Sequence, residues 1–363
     1  MQKLFKSLET RVLQDTFSPE LEEHRTPIYC ARRIKDKIVE TLRDSKLRRA
    51  YLHGLNLALG SLYKPIEIGK RKLKERELRR THYFINLHYH SGYPFSLDAV
   101  RHRDPFVATI KHMRKQDVRI LYVTDHDNNF FFWTLRTDPP KWVTKNYDMH
   151  CDDWMITLVP KKGLLRKRKL KTLYIMNAQE YHIRLNPDDK LRLNLEMIAP
   201  TNELPGKALF PNLDQLLYKA RHTFVTLNHP NHFDSFETEK DIVSALEAAD
   251  KIGTPMIVER FNGGVTPVQG YVNLFAQQIC EKYPVPNFVG SDLHIPLKPA
   301  GVWIRKGLLK TALASRNGLH VNQTIRDALL GKTVSTPSDI IGREIYSNPA
   351  SIFMSYVGKK LTG

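Results

Sequence analysis

The chain has 363 residues, 41% of them hydrophobic, and a formal net charge of +18 from 56 Lys+Arg against 38 Asp+Glu. That apolar content excludes wholesale disorder, and three cysteines (Cys30, Cys151 and Cys280, none in a C-x-x-C pair) exclude a disulfide scaffold and a zinc ribbon. No stretch reaches the roughly 18 apolar residues of a membrane span, and the charged opening MQKLFKSLETRVLQ has no apolar signal-peptide core, so a reducing, cytoplasmic setting is expected.

At roughly 100–200 residues per domain the length fits one large domain or two ordinary ones. Residues 1–80 carry 20 basic and 11 acidic side chains, half of the charge excess of the whole chain. Within them Ile34, Ile38, Val39, Leu42, Leu47, Tyr51, Leu55 and Leu57 recur at helical spacing. This segment reads as a basic helical extension, and GKRKLKERELRR (Gly69–Arg80) as a helix end or linker too charged for a core.

From His82 onward short β-rich runs alternate with amphipathic helical ones. ILYVTD (Ile120–Asp125), TLYIMN (Thr172–Asn177), TFVTLN (Thr223–Asn228), PMIVER (Pro255–Arg260) and NFVGSD (Asn287–Asp292) predict strands. Between them lie helix-like stretches such as NLDQLLYKARH, EKDIVSALEAADKIG and NLFAQQICEKY. Repeated strand–helix units imply an α/β fold with parallel strands, and about seven units suit a closed barrel better than an open sheet. Residues 81–340 are assigned to this barrel and 341–363 to a C-terminal tail. Residues 128–171 interrupt the pattern, with Trp133, Trp142, Trp154 and the basic cluster Lys161–Lys171. They read as an insertion, either a functional loop near the barrel mouth or a satellite subdomain with its own aromatic core.

Histidines and acids fall at nearly every predicted strand end. His88 and His90 stand in H-x-H, so on a strand both imidazoles share a face. His126 follows in T-D-H, Glu180 and His182 in NAQEYHI, His229 and His232 in TLNHPNH, and Asp292 and His294 in GSDLH. In a barrel these ends converge on one mouth, where such folds keep their chemistry. A mixed imidazole and carboxylate set without thiolate suits catalytic Zn, Fe, Mn or Ni, and seven or more donors exceed what one ion uses. His82, His102, His112, His150, His222 and His320 have no motif and are read as surface or core residues. Asp125 and Asp127 are read as orienters of their neighbours, and Arg260 as a ligand for a phosphoryl oxygen or, alternatively, a salt-bridge partner.

In this order, H-x-H, T-D-H, a strand-end Glu, H-P and G-S-D-x-H resemble the PHP (polymerase and histidinol phosphatase) domain, over about Tyr83 to Pro337 and including the closing TIRDALLGKTVSTP. The resemblance implies a distorted seven-stranded (β/α) barrel with two or three divalent metal ions (Zn, Mn or Fe) that hydrolyses phosphoesters. It implies His88, His90, His126, Glu180, His229, Asp292 and His294 as metal ligands, with Glu180 bridging and Glu180, Asp292 and His126 catalytic. Two departures stand out. The Ser-Asp-Gly that usually follows H-x-H is missing, leaving Asp98 as the nearest candidate. The histidine usual on the strand after the glutamate is replaced by Asn194 in LRLNLEMIAP, where His182 is a possible substitute; His232 is a further possible ligand, or a cap for the loop after His229. Three functions follow: a phosphatase acting on a small phosphorylated metabolite or nucleotide; a nuclease that binds DNA or RNA through residues 1–80 and 161–171; and a binding module with a decayed centre, for which Asn194 is the best support. An amidohydrolase-type deaminase or amidase shares H-x-H and a late Asp, but it often carries a bridging lysine where this chain has Glu180.

Overall fold

The computed structural model describes residues 75–91, 104–161, 171–183, 195–203, 212–232, 238–264, 270–293, 299–336 and 338–344. The basic extension up to residue 74, Asp98, residues 162–170, Asn194, His294 and the tail from residue 345 lie outside the described residues. Every strand described belongs to one compact unit made of Glu67–Thr266 and Val272–Gly363.

Eleven strands form one sheet: β1 (His82–Asn86), β2 (Val118–Val123), β3 (Tyr147–Cys151), β4 (Met155–Pro160), β5 (Leu173–Ile183), β6 (Leu195–Pro200), β7 (Val225–Leu227), β8 (Met256–Asn262), β9 (Asn287–Gly290), β10 (Gly301–Arg305) and β11 (Ile340–Arg343). Among the described residues the helices are α1 (Glu75–Thr81), α2 (Pro105–Lys115), α3 (Phe130–Thr137), α4 (Lys141–Asn146), α5 (Leu213–Ala220), α6 (Glu239–Ile252), α7 (Gly270–Lys282), α8 (Lys306–Ser315) and α9 (Gly318–Leu329). The strand order is β11-β10-β1-β2-β5-β6-β7-β8-β9, with β4 attached to β5 and β3 to β4. Beyond the ends of β1 and β9, Tyr89 and Leu293 form a parallel bridge, and the His90 amide donates to the Leu293 carbonyl at 3.2 Å. The sheet is thereby drawn into a nearly closed, barrel-like form.

The expected parallel arrangement holds for β1–β2, β2–β5, β7–β8 and β8–β9. It fails at β6, which runs antiparallel to both neighbours, and at β10, antiparallel to β1 and β11. The physical reason at β6 is chain length. Eleven residues separate Ile183 from Leu195, fewer than the dozen or so a parallel crossover needs. The count of strands therefore exceeds seven, and the fold is a mixed α/β one rather than a run of uniform βα units.

Three apolar layers hold the elements. The barrel interior (Ile85, Ile120, Tyr122, Met176, Ile257, Phe288) continues into α8 and α9 through Leu309, Val321, Ile325 and Ala328. Tyr122 adds a buried hydrogen bond from its hydroxyl to Asn322 Oδ1 at 2.7 Å, tying β2 to α9. Outside the sheet, α5 and α6 pack Leu216, Leu217, Ile242 and Ala245 on Met197, Val225 and Leu227. β6 is buried along its whole length and β5 along nearly all of it, as expected for strands covered on both faces. The α6 start is fixed by a capping box in which Thr238 and Asp241 bond each other's backbone amides. Cys151 and Cys280 are free thiols.

The insertion is no satellite. Its hairpin β3–β4 joins the sheet through β4, with Met155 opposite Met176 and Ile156 opposite Ile175. Phe131, Phe132, Leu135, Tyr147, Ile156 and Leu158 share one buried cluster with Phe84, Ile110 and Leu121. Ile156→Ala should therefore cost about 2–5 kcal/mol, as expected for a buried isoleucine in a shared core. Chemical denaturation should show that loss in one cooperative transition of the barrel, whereas a separate early transition for the insertion would contradict the shared core.

Candidate metal centre

Strand geometry places the donors. His88 and His90 follow β1 on one face while Leu87 and Tyr89 point into apolar clusters. Tyr89 locks this stretch to the end of β2: its amide donates to Thr124 Oγ1 at 3.1 Å, and its carbonyl accepts from the Thr124 amide at 2.9 Å. Two residues later Asp125 accepts from the Ser91 amide (2.7 Å) and Ser91 Oγ (2.5 Å), which fixes the turn after His90. His126 is bridged to Glu180 on β5 through the backbone. His229 and Asp292 follow β7 and β9 with φ of 21° and 42°, and Asp127 and Asn231 beside them are also left-handed. Non-glycine residues held there signal backbone strain stored at a site.

The side chains converge. Glu180 Oε1 lies 3.3 Å from His88 Nε2 and 3.6 Å from His229 Nε2. Its other oxygen lies 3.3 Å from His90 Nε2 and 3.0 Å from His126 Nδ1. Asp292 Oδ1 stands 3.5 Å from His88 Nε2 and 3.3 Å from His90 Nε2, and its Oδ2 lies 3.8 Å from His229 Nε2. Donor atoms about 2.1 Å from one ion are roughly 3.0–3.4 Å from one another, so most of these separations are those of a ligand shell. Four groups bring donors within 4.8 Å of one another: His88, His90 and Asp292; His88, Glu180 and His229; His90, His126 and Glu180; and Glu196, His229 and His232. Nitrogen and carboxylate donors without sulfur suit transition metals, so the residues present could hold metal ions.

Two acids complete the site that the motif reading did not assign. Glu259 on β8 sits behind His88, its Oε1 3.1 Å from His88 Nδ1, while its Oε2 accepts from the His229 amide (2.8 Å) and Asn262 Nδ2 (3.0 Å). This is the carboxylate–histidine pairing that leaves Nε2 free to face an ion. Gly290 makes room for it, since a Cβ there would overlap the Glu259 carboxylate. Glu196 on β6 lies 3.2 Å from His229 Nδ1 and 3.2 Å from His182 Nε2, and it groups with His229 and His232 as a further donor set. Strand parity held one signal: Glu259 precedes Arg260 on β8 and faces the opposite way.

Of the residues expected at the centre, His88, His90, His126, Glu180, His229 and Asp292 come together. His232 joins through Glu196. His182 stands behind it, between Glu196 and Asp127 Oδ2 at 3.1 Å, and stacks on His126 with ring centres 5.0 Å apart. Arg260 does not join: its Nη2 donates to Glu344 at 2.6 Å, the salt-bridge alternative. Asn228, also unassigned from the sequence, donates Nδ2 to Glu180 Oε1 at 2.6 Å and fixes the carboxylate.

Charge governs the protonation of this cluster. Burial opposes the imidazolium of His88, but Glu180, Glu259 and Asp292 outweigh it and hold its pKa well above 6.5. His229 is pushed up to about 10, burial being overcome by Glu196, Glu180 and Asp292. Glu196 in turn is lowered to about 2, with His229 outweighing its burial. Glu180 falls well below its usual value because His88 and His126 overcome its desolvation.

No protein-family model and no curated protein matches the chain. Among solved structures it is similar to PsfC from Pseudomonas syringae PB-5123, with 13% sequence identity, coverage of 78% of this chain and 100% of PsfC, and a TM-score of 0.42. A likeness that distant carries neither fold detail nor activity across. No described helix is long and apolar enough to cross a membrane.

The raised imidazole values fix a pH dependence. In the metal-free protein the His229 imidazolium has a folded pKa of about 10 against roughly 6.5 unfolded. Its stabilisation is complete below about 6.5 and lost as pH rises toward 10. A bound ion displaces the same protons, so metal affinity rises across that window. Melting of chelator-treated and Mn(II)-loaded protein at pH 6.5 and 8.5 should show a larger metal-induced rise in Tm at the higher pH; an equal or smaller rise would contradict this electrostatic picture. Gly290→Ala should push Glu259 off His88 and weaken metal binding by ~10–100-fold, the cost usual for losing an outer-shell partner, as read by competition with a fluorescent chelator.

Proposed function

We propose that this protein is a metal-dependent phosphoester hydrolase of the PHP type, with a small phosphorylated metabolite or nucleotide as substrate. The observation that carries the reading is Glu180: each of its oxygens faces a different pair of imidazoles, His88 with His229 and His90 with His126. That is the disposition of a carboxylate shared between two cation positions. When bound, the metal ions supply charge neutralisation for phosphoryl oxygens and an activated water nucleophile at neutral pH.

The chain's own residues do the positioning. Glu259 and Asn228 hold His88 and Glu180 in single orientations, so little reorganisation accompanies the reaction. Asp292 contributes a second carboxylate opposite Glu180. The positive balance of the chain favours anionic substrates. Asn194 was the argument for a decayed centre. Glu196, two residues on in sequence, is a buried carboxylate that groups with His229 and His232 as a possible ligand set, which favours a working centre over a relic.

Purified protein should carry at least two transition-metal ions per chain by elemental analysis and hydrolyse p-nitrophenyl phosphate faster than the bis-ester. His90→Ala and Glu180→Gln should each lower that rate by at least ~100-fold with the fold retained, since site residues serve function more than stability. Wild-type rates in metal-replete buffer would remove both residues from the mechanism, and a preference for the bis-ester would move the substrate toward nucleic acid.

A further inference from the structure

The opposite end of the sheet carries a second charged feature that the hydrolytic centre does not use. The strands β1, β2 and β5 run parallel, with the metal donors after their C-terminal portions. Near their N-terminal ends lie Arg119 and Lys171, and a cavity of about 320 Å³ opens there, lined by Lys111, Arg114, Lys115, Asp117, Arg119, Trp142 and Lys171. Six residues lie between Arg119 and His126, roughly 20 Å at the strand rise. The two sites are therefore distinct.

Five cations line this cavity against one acid, and that acid is already engaged. Asp117 Oδ1 accepts from Lys171 Nζ at 2.7 Å, and its Oδ2 lies 3.7 Å from Arg79 Nε. Among the described residues no ion pair joins Lys111, Arg114 or Lys115 to a carboxylate, and Arg119 shares the field of the same Asp117. The positive ground extends beyond the cavity: Arg119 and Lys306 approach the Tyr83 ring at 5.7 and 5.5 Å. Crowding of like charge is felt there, because burial, then Lys171 and Arg119, lower the Lys306 pKa. Arg114 and Lys115 lie in the last turn of α2, where the helix dipole favours cations. That accounts for two of the five; Lys171 pairs with Asp117, and Lys111 and Arg119 lie over the Trp142 and Tyr83 rings, so a single carboxylate still faces five cations.

We propose that this cavity is a second anion site, which binds a compact polyanion bearing several phosphate or sulfate groups. The cations converge on one concavity of ligand size rather than following a groove. Its one aromatic residue is already engaged: Trp142 is half-buried, with Lys111 over its ring at 5.0 Å and Tyr147 tilted against it at 6.0 Å between ring centres. Stacking of successive bases is what single-stranded nucleic acid requires, so a small polyanion fits better than a strand.

Sucrose octasulfate is a suitable probe because it has no phosphoester to hydrolyse. Calorimetric titration of the full-length, metal-loaded protein should show saturable binding. Lys111→Ala combined with Lys115→Ala and Lys171→Ala should weaken it at least ~10-fold. Two controls should bind as the parent does: His90→Ala, and a triple change of the exposed Lys240, Lys251 and Lys310 to Ala, which removes the same charge elsewhere. Absent binding, equal weakening by both triple variants, or loss in His90→Ala would overturn the proposal. So would tighter binding of a mixed-sequence oligonucleotide through the same three lysines, which would assign the surface to nucleic acid. Circular dichroism of each variant guards against a folding defect, and if the Lys111 triple is unfolded, Lys171→Glu alone carries the same expectation.

Discussion

Everything at the mouth of this sheet follows from burying four carboxylates together. Glu180, Glu196, Glu259 and Asp292 are each at most 9% exposed and lie within one layer of strand ends. Isolated carboxylates in such a place cost several kcal/mol each. The chain answers with imidazoles rather than with lysine or arginine. Imidazoles can hold protons when no ion is present and surrender them to an ion when one arrives. His88, His90 and His229 face both Glu180 and Asp292, His126 faces Glu180, and His182 continues the alternation of charge outward to Asp127. A cluster built this way is stable enough to fold and still ready to exchange protons for metal.

The backbone carries part of the cost. Among the described residues, six non-glycine residues have positive φ, and four of them, Asp127, His229, Asn231 and Asp292, lie at the centre. These are strand ends where the chain turns sharply to present a donor, and nearby hydrogen bonds over-determine the turns. The Asp127 amide donates to the Glu180 carbonyl at 2.8 Å, and the His229 amide donates to Glu259. Gly290 belongs to the same design, as an absent side chain that lets a carboxylate stand against His88. The other end of β1, β2 and β5 differs in charge: there five cations gather around the single carboxylate of Asp117.

Much of this was legible in the sequence because strand ends obey a parity rule. H-x-H puts His88 and His90 on one face whatever the tertiary structure, and T-D-H, NAQEYHI and TLNHP each end an apolar run at a donor. Donors that precede no recognisable motif were not legible. Glu259 sits inside PMIVERFN, where Arg260 draws the eye, yet alternation sends Arg260 outward to Glu344. Glu196 lies two residues beyond the position where a histidine was expected, and nothing local distinguishes it from a surface glutamate. The reversed direction of β6 was hidden for a different reason: strand direction depends on the span of a connection and on neighbours far away in sequence. The β3–β4 hairpin was hidden likewise, since its partner β5 is set by packing of Phe131, Ile156 and Leu158 rather than by any turn signal.

In the proposed function Glu180 would be shared between two ions, one beside His88 and His229 and the other beside His90 and His126. Electron paramagnetic resonance of the Mn(II)-titrated protein reads this directly, because a bridging carboxylate couples neighbouring spins. Wild-type protein loaded beyond one equivalent should give the spectrum of an exchange-coupled pair, and Glu180→Gln should give isolated ions at matched loading. An isolated six-line Mn(II) signal from the wild-type protein at every loading, with no coupled species, would contradict a shared Glu180 and with it the multinuclear centre.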